Sequence, residues 1–407
     1  MRDNSINQVP RVALFADTFH ETNGAANFLR RLVDFVKEKN YPFLCVRAGE
    51  ETRCFQDGSV TFLDLKRGRM SIPLDGALKF DPFYLKHRKL VGKTLTEFAP
   101  NIIHITGLND ISQFGFYLAH FRKIPAVASW HTNAHEYAAD RLVSVIPFIS
   151  ANAKQKIGKV VEKTVFYGLM RLYFLAQMQL APNEELVAAI GRLTRRPSFL
   201  LGRGVDTEFL SPEKRRRDDD VFNIGFVGRL RPEKNVRLFA ELDAALQQAK
   251  IENYRFTIVG DGGERNWLEN NLKNAKFTGE IRGEELAETI ANMDLFAFPS
   301  LTDAFGNVVL EAMSAGVPGV VMSKGGQKYL IENGVNGFIA DEKDFIKTVV
   351  QILKNPIQLA EKGKAARRFA LLNSWEAIFE KTYKFYEQGA KFSKNIRAEK
   401  KINQCLN

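Results

Sequence analysis

Apolar runs closed by glycine, proline or polar residues alternate along the chain with stretches whose apolar residues recur at helical spacing. Val12–Asp17 opens as a strand. A polar loop follows, and Phe28–Lys39 carries helical periodicity. Further strands are predicted at Phe43–Arg47, Val60–Leu63, Ile102–Ile105 and Ala126–Trp130. Between about 141 and 180 lysines mix with large apolar residues at helical spacing. The strand-like Ser198–Asp206 comes next, and then the charge block EKRRRDDD at 213–220, which reads as a solvated linker. The rhythm restarts with strands at Phe222–Gly228, Tyr254–Val259, Lys276–Ile281, Leu295–Phe298 and Val317–Ser323. Helices are predicted between them at Asn235–Gln248, Glu264–Asn274 and Glu284–Asn292, and afterwards at Asp341–Leu353. The segment 373–388 is helical, and the basic tail beyond Gly389 is predicted to fray. Strands alternating with helices predict the α/β class, with parallel sheets covered by helices on both faces. Ligands of such sheets gather at the carboxyl ends of the strands.

A chain of 407 residues accommodates two such units. The predicted division is 1–200 (with 370–407 returning to it) and 201–369. Three scattered cysteines, Cys45, Cys54 and Cys405, lack metal-ligand spacing and fit a reducing compartment. The N-terminus MRDNSINQVP has no apolar core of a secretory signal, and no uncharged run is long enough to span a bilayer. A cytoplasmic protein is expected, possibly peripheral on the inner face of the cell membrane. The net charge of +11 falls mostly in the first 200 residues. Such a half could meet a phosphorylated acceptor, an anionic membrane or nucleic acid. The nucleic-acid reading lacks aromatics interleaved along a basic stripe.

The most informative segment is SLTDAFGNVVLEAMSAGVP, Ser300–Pro318. It follows the apolar run 294–298, so the order is strand, glycine turn, helix. Asp303 stands on the loop and Glu311 about two turns into the helix. The first amides of a helix lack partners, and its N-terminal end carries a partial positive charge. Phosphate oxygens suit those amides, and flanking carboxylates accept hydrogen bonds from hydroxyls. A nucleotide-diphosphate sugar combines both chemistries. Arg229 and Lys234, in GFVGRLRPEKN, follow another strand and supply the cations that a diphosphate needs.

The interval from Asp303 to Glu311 resembles the acid-x7-acid signature of the family-4 retaining glycosyltransferases, with Asp where the first acid is usually Glu. GRL-x-x-x-K from Gly228 resembles a second motif of that family, and the resemblance runs from Val12 to about Tyr386. It implies the GT-B architecture: two Rossmann-like domains facing a central cleft, the second holding the donor, with the C-terminal helix crossing back to the first. The implied activity is retaining transfer of a hexose from a nucleotide-diphosphate sugar to an acceptor hydroxyl, without a metal or other cofactor. UDP-hexose is the first candidate donor and GDP-mannose the second.

In that reading Arg229 and Lys234 neutralise the departing diphosphate, and Glu311 accepts from the ribose hydroxyls. Asp303 meets a hydroxyl of the transferred sugar. Amides of Phe305, Gly306, Asn307 and Val308 cradle sugar and phosphate. His131, in ASWHTNAHEY after a first-domain strand, faces the donor sugar; His135, Glu136 and Asp140 are weaker candidates. Asn23-Gly24 resembles the first-domain glycine loop that lets backbone approach the diphosphate. Gly228 belongs to the donor loop, the turn at 260–263 lines the base, and Asp206 in the GVD element is either structural or a support behind the groups that touch the donor. Two regions could lie on an anionic membrane, Ala151–Leu180 and the basic cluster Lys79–Lys93. The expected acceptor is therefore a membrane lipid or lipid-linked saccharide. The competing readings are a sugar-nucleotide isomerase (an epimerase) of the same architecture and a basic binding protein without catalysis. A dinucleotide oxidoreductase lacks its glycine fingerprint.

Overall fold

The computed structural model describes residues 9–21, 24–75, 78–131, 151–303 and 305–405. It divides into two compact units, residues 1–201 with 379–407 and residues 202–378. Each unit is built on a largely parallel sheet.

In the first unit the strands are β1 (Val12–Ala16), β2 (Phe43–Gly49), β3 (Arg53–Asp57) and β4 (Val60–Lys66). A separate two-stranded ribbon pairs β5 (Ile72–Asp75) with β6 (Leu78–Phe80). Then come β7 (Ile102–Ile105), β8 (Ala126–Ser129), β9 (Met178–Ala181) and β10 (Ser198–Leu200). The eight-stranded sheet has the order β10-β9-β8-β7-β1-β2-β4-β3, with only β3 antiparallel to its neighbour. Its central strands are apolar on both faces, as a sheet covered on both sides requires. The Gly24–Glu38 helix buries Phe28, Leu29, Leu32, Val33, Phe35 and Val36, the one-sided stripe of a helix lying on a sheet.

The strand order reverses between β1 and β7, and a buried carboxylate sits at that point. Asp17 accepts from the amide of Asn109 at 2.8 Å and that of Ser112 at 2.9 Å, so it ties the end of β1 to the start of the Asp110–Arg122 helix. Burial pushes its carboxyl up to about 6, against the lowering effect of those hydrogen bonds.

The second unit holds β11 (Phe222–Val227), β12 (Tyr254–Val259), β13 (Ala275–Gly279), β14 (Leu295–Phe298), β15 (Gly319–Met322) and β16 (Gly337–Ala340). Their order is β13-β12-β11-β14-β15-β16, all parallel, the doubly wound arrangement. One core gathers Phe226, Phe239, Phe256, Phe296 and Phe298 around these strands.

The predicted α/β class with parallel sheets is observed, and several local expectations are corrected. The block 213–220 is largely exposed, as a solvated segment should be, but it is clamped rather than free. Arg215 and Arg217 each reach an oxygen of Asp294 at 2.6 Å, Asp294 also accepts from the amide of Asn223 at 2.8 Å, and Arg255 holds Asp219 at 2.8 Å. Charges that read as solvated in sequence are matched by acids and bases far along the chain. The terminal helix does not end at Gly389 but runs Trp375–Cys405. Gly389 lies against Ile102, where a Cβ would sit 2.6 Å from its Cδ1. The mixed 141–180 stretch contains the strand β9 as well as the Ala151–Tyr173 helix. The exposed strand β3, the β5–β6 ribbon and the Leu359–Leu371 helix had no prediction.

Replacing Asp294 with alanine should take a carboxylate from Arg215 and from Arg217, which is only 10% exposed and would keep Asp219 alone, and should leave a buried amide without its acceptor. The expected cost is on the order of 2 kcal/mol or more. It should show as a lower urea midpoint, while alanine at the exposed Asp218 should stay within about 0.5 kcal/mol.

Candidate active site

In the second unit the loops after β11 and β14 emerge side by side where the strand order reverses, the position at which open parallel sheets bind ligands. The 3-10 turn Pro232–Lys234 carries Lys234. Its Nζ lies 2.7 Å from both Oδ1 and Oδ2 of Asp303, with the two side chains 13% and 21% exposed. The same ammonium stands 5.7 Å from the centre of the Phe298 ring. Two predicted site residues, 69 positions apart in sequence, therefore form one ion pair. Arg229 stays exposed and, among the described residues, pairs with Glu233 at 3.6 Å. An exposed pair of that length holds its arginine weakly.

Gly306 adopts φ +84°, and a Cβ there would lie 2.7 Å from Cβ of Gln327. Only glycine fits that left-handed turn without strain. The Asn307–Ser314 helix starts immediately after it. Its first turn closes with the Val309 amide donating to the Gly306 carbonyl at 2.9 Å, so the amides of Asn307 and Val308 lie ahead of it. Phe305 is buried beneath the turn. The third loop, after β15, braces the second: the Gly326 amide donates to the Asp303 carbonyl, and Gln327 Nε2 donates to the Ser300 and Lys324 carbonyls at 2.6 Å each.

Glu311 stands a little over one turn into this helix, not two. Its carboxylate has no hydrogen-bond or ionic partner among the described residues, and burial pushes it up to about 7. Two other buried polar atoms of this edge, Asn307 Oδ1 and Asn235 Nδ2, also lack partners among the described residues. Polar atoms left open in a folded protein call for a ligand or ordered water.

Gly228 ends β11, and the turn at 260–263 ends β12 in direct backbone contact with it. A Cβ on Gly260 (φ +125°) would lie 2.0 Å from the Gly228 carbonyl oxygen, and one on Gly262 2.3 Å from that of Leu230. The Leu230 amide donates to the Asp261 carbonyl at 2.9 Å. Asp206 accepts from the Phe209 amide at 3.0 Å, a local turn contact.

The first unit holds the other two candidates. Gly24 is the first residue of its helix, and Phe28 from that helix lies 4.9 Å, ring centre to ring centre, from His131. His131 lies two residues past the end of β8, and its Nε2 lies 2.6 Å from Ser129 Oγ. Asn23, His135, Glu136 and Asp140 lie outside the described residues. Sequence reasoning missed Asn235, Gln327, Ser129 and His104. Only His104 carried a signal, a polar residue inside the apolar strand IIHI. Among the described residues no cluster of three or more His, Cys, Asp or Glu could hold a metal ion. No helix among them is long and apolar enough to cross a membrane.

Residues 221–355 match the family model for group 1 glycosyl transferases. A GDP-mannose-dependent alpha-mannosyltransferase of Corynebacterium glutamicum is 27% identical over 95% of this chain and 91% of its own. The sulfoquinovosyl transferase SQD2 of Arabidopsis thaliana is 26% identical over 93% of this chain and 73% of its own. The fold matches that of sucrose-phosphate synthase from Thermosynechococcus elongatus with a TM-score of 0.68 at 16% identity, covering 93% of this chain and 98% of that one. The acid-x7-acid helix, the lysine loop and the two parallel sheets, together with these similarities, support a family-4-like glycosyltransferase of GT-B architecture that uses a nucleotide sugar.

Proposed function

We propose that this enzyme transfers a hexose, with retention of anomeric configuration, from a nucleotide-diphosphate sugar to a membrane lipid or lipid-linked saccharide. The observation that carries the reading is the edge formed by Lys234, Asp303, the Asn307 helix start and the unpartnered Glu311. GDP-mannose becomes the first donor to test, ahead of UDP-hexose, because the near full-length relative named above is GDP-mannose-dependent.

In this reading the bond between the sugar's anomeric carbon and the diphosphate oxygen breaks. The acceptor oxygen bonds to that carbon on the same face, and its proton passes to the departing diphosphate. Negative charge grows on the diphosphate, and Lys234, Arg229 and the amides at the helix start are placed to stabilise it. These cations and amides supply that stabilisation without a metal or other cofactor. In the free enzyme Lys234 and Asp303 neutralise each other; with donor bound, the lysine would serve the phosphate and the aspartate a sugar hydroxyl. Glu311 would accept from the ribose, Gly24 and Gly228 would admit the diphosphate to the backbone, and His131 would act at the donor sugar.

The acceptor reading rests on the first unit. Phe83, Leu85 and Leu90 are exposed on the same short stretch as Lys79, Arg88, Lys89 and Lys93, with Met70 and Ile72 exposed nearby in sequence. The Ala151–Leu180 stretch fits a membrane face less well, because Leu169, Met170, Leu172 and Tyr173 turn into the core and leave Val160, Tyr167 and Phe174 outside.

Incubation with GDP-mannose and with UDP-hexoses, following release of GDP or UDP, tests the reading directly. Lys234→Ala and Glu311→Ala are each expected to lower turnover at least ~100-fold, the scale of one lost preorganised contact. Near-normal rates in both would overturn the site.

Because an ionised Glu311 accepts more strongly and from two hydroxyls at once, donor KM should fall as pH rises from about 6 to about 8. Glu311→Gln should flatten that dependence. The same raised carboxyl makes folding more favourable below the ordinary carboxylate range and costs stability as pH climbs through about 7.

Flotation with anionic vesicles at low salt should carry the protein upward, and neutral vesicles should not. Replacing Arg88, Lys89 and Lys93 together should weaken binding by roughly 1 kcal/mol per charge.

A further inference from the structure

A file of hydrogen bonds runs through the core of the first unit and ends on His131. Tyr386 Oη lies 2.7 Å from Nδ1 of His104, His104 Nε2 lies 2.8 Å from Ser129 Oγ, and Ser129 Oγ lies 2.6 Å from His131 Nε2. Tyr386 and His104 are fully buried and Ser129 nearly so. Three elements contribute in turn, the Trp375–Cys405 helix, β7 and β8, and His131 lies two residues past the end of β8. Phe28 packs against the His131 ring at 4.9 Å, which restricts its rotation.

The direction of the bonds follows from counting hydrogens. Burial pushes His104 down to about 3, so its ring is neutral and carries one hydrogen; burial also raises the Tyr386 phenol well above its ordinary value, so its hydroxyl stays protonated. If Tyr386 donates to Nδ1, the hydrogen of His104 sits on Nε2 and is donated to Ser129. The serine hydroxyl then donates to Nε2 of His131. In the opposite polarity Tyr386 accepts, and its own hydrogen has no acceptor among the described residues. Leaving a buried hydroxyl hydrogen unpaired forfeits its hydration with nothing in return, which favours the first polarity; that polarity puts a hydrogen on the buried Nδ1 of His131 in place of the lone pair that the opposite one would leave there.

We propose that Tyr386, His104 and Ser129 are positioning residues that hold His131 in one ring orientation with its single hydrogen on Nδ1. The hydrogen bond made by one imidazole nitrogen decides which nitrogen is protonated, and here a tyrosine three bonds away in the file makes that decision. The consequence for catalysis rests on the reading of His131 as a group acting at the donor sugar; the tautomer itself does not.

The test is long-range proton–nitrogen NMR on full-length, histidine-labelled protein, with His131 assigned by its loss in His131→Gln. The wild type should show His131 protonated on Nδ1. Tyr386→Phe should turn His104 and His131 into mixed tautomers. It should also lower kcat on the order of tenfold with donor KM within about twofold, part of the ~10²–10⁴-fold that a positioned proton-handling group supplies. Tyr383→Phe is the packing control: it lies on the same helix, its ring centre 5.1 Å from that of Tyr386, and its hydroxyl is buried without a partner among the described residues. It should leave the His131 signals unchanged. If Tyr386→Phe does not fold, Ser129→Ala tests the last link of the file. An Nε2-protonated His131 in the wild type, or His131 signals indifferent to Tyr386→Phe and Ser129→Ala, would overturn the proposal. A tautomer shift with unchanged kcat would uphold the file and remove His131 from the reaction.

Discussion

Parallel strand pairing is the constraint from which the site follows. In the second unit six strands run the same way, so every loop that leaves a carboxyl end leaves along one edge. Where the order reverses, between β11 and β14, the loops diverge to opposite faces of the sheet and leave their ends uncovered. Lys234 comes from one of these loops and Asp303 from the other. Half-buried charges survive in such a place only when matched. The two-oxygen contact at 2.7 Å supplies the match and also fixes the separation of the two loops.

Glu311 is the counterpart that has no match among the described residues. A carboxylate raised to about 7 by burial is destabilising in the folded chain, and no cation among those residues relieves it. Beside the open atoms of Asn235 and Asn307, it forms a polar edge poorly satisfied by the protein itself. Strain of this kind is retained where a ligand completes the hydrogen bonds. The loop after β15 shows the opposite arrangement: Gln327 Nε2 is spent on two carbonyls, so that loop acts as a brace.

Much of this could be read from the residues. Strand-forming runs such as Ile102–Ile105 and Leu295–Phe298 coincide with observed strands because an apolar run ended by a turn residue has few other places to go. The acid-x7-acid helix and the GRL loop were legible because glycine and charge occur at positions dictated by backbone conformation. What stayed hidden depends on distant partners. Nothing local says that Arg215 and Arg217 will meet Asp294, so a clamped segment looked like a free one. The Lys234–Asp303 pair was hidden for the same reason: each was assigned to a ligand because its partner lies on another strand. His104 was visible as an oddity in an apolar strand, but its use depends on Tyr386, 282 residues away. Charge lettering gives composition; only the topology says which charges become neighbours.

The touching backbones at the ends of β11 and β12 carry one more consequence. With Gly260 pressed so close to the Gly228 carbonyl that no side chain fits, these two turns have no compressible layer between them. A side chain can rotate aside to absorb a push, but a peptide group in contact with another peptide group transmits it whole. Anything that displaces the Asp261 turn therefore displaces the start of the Arg229 loop by a similar amount, so the two behave as a single mechanical part.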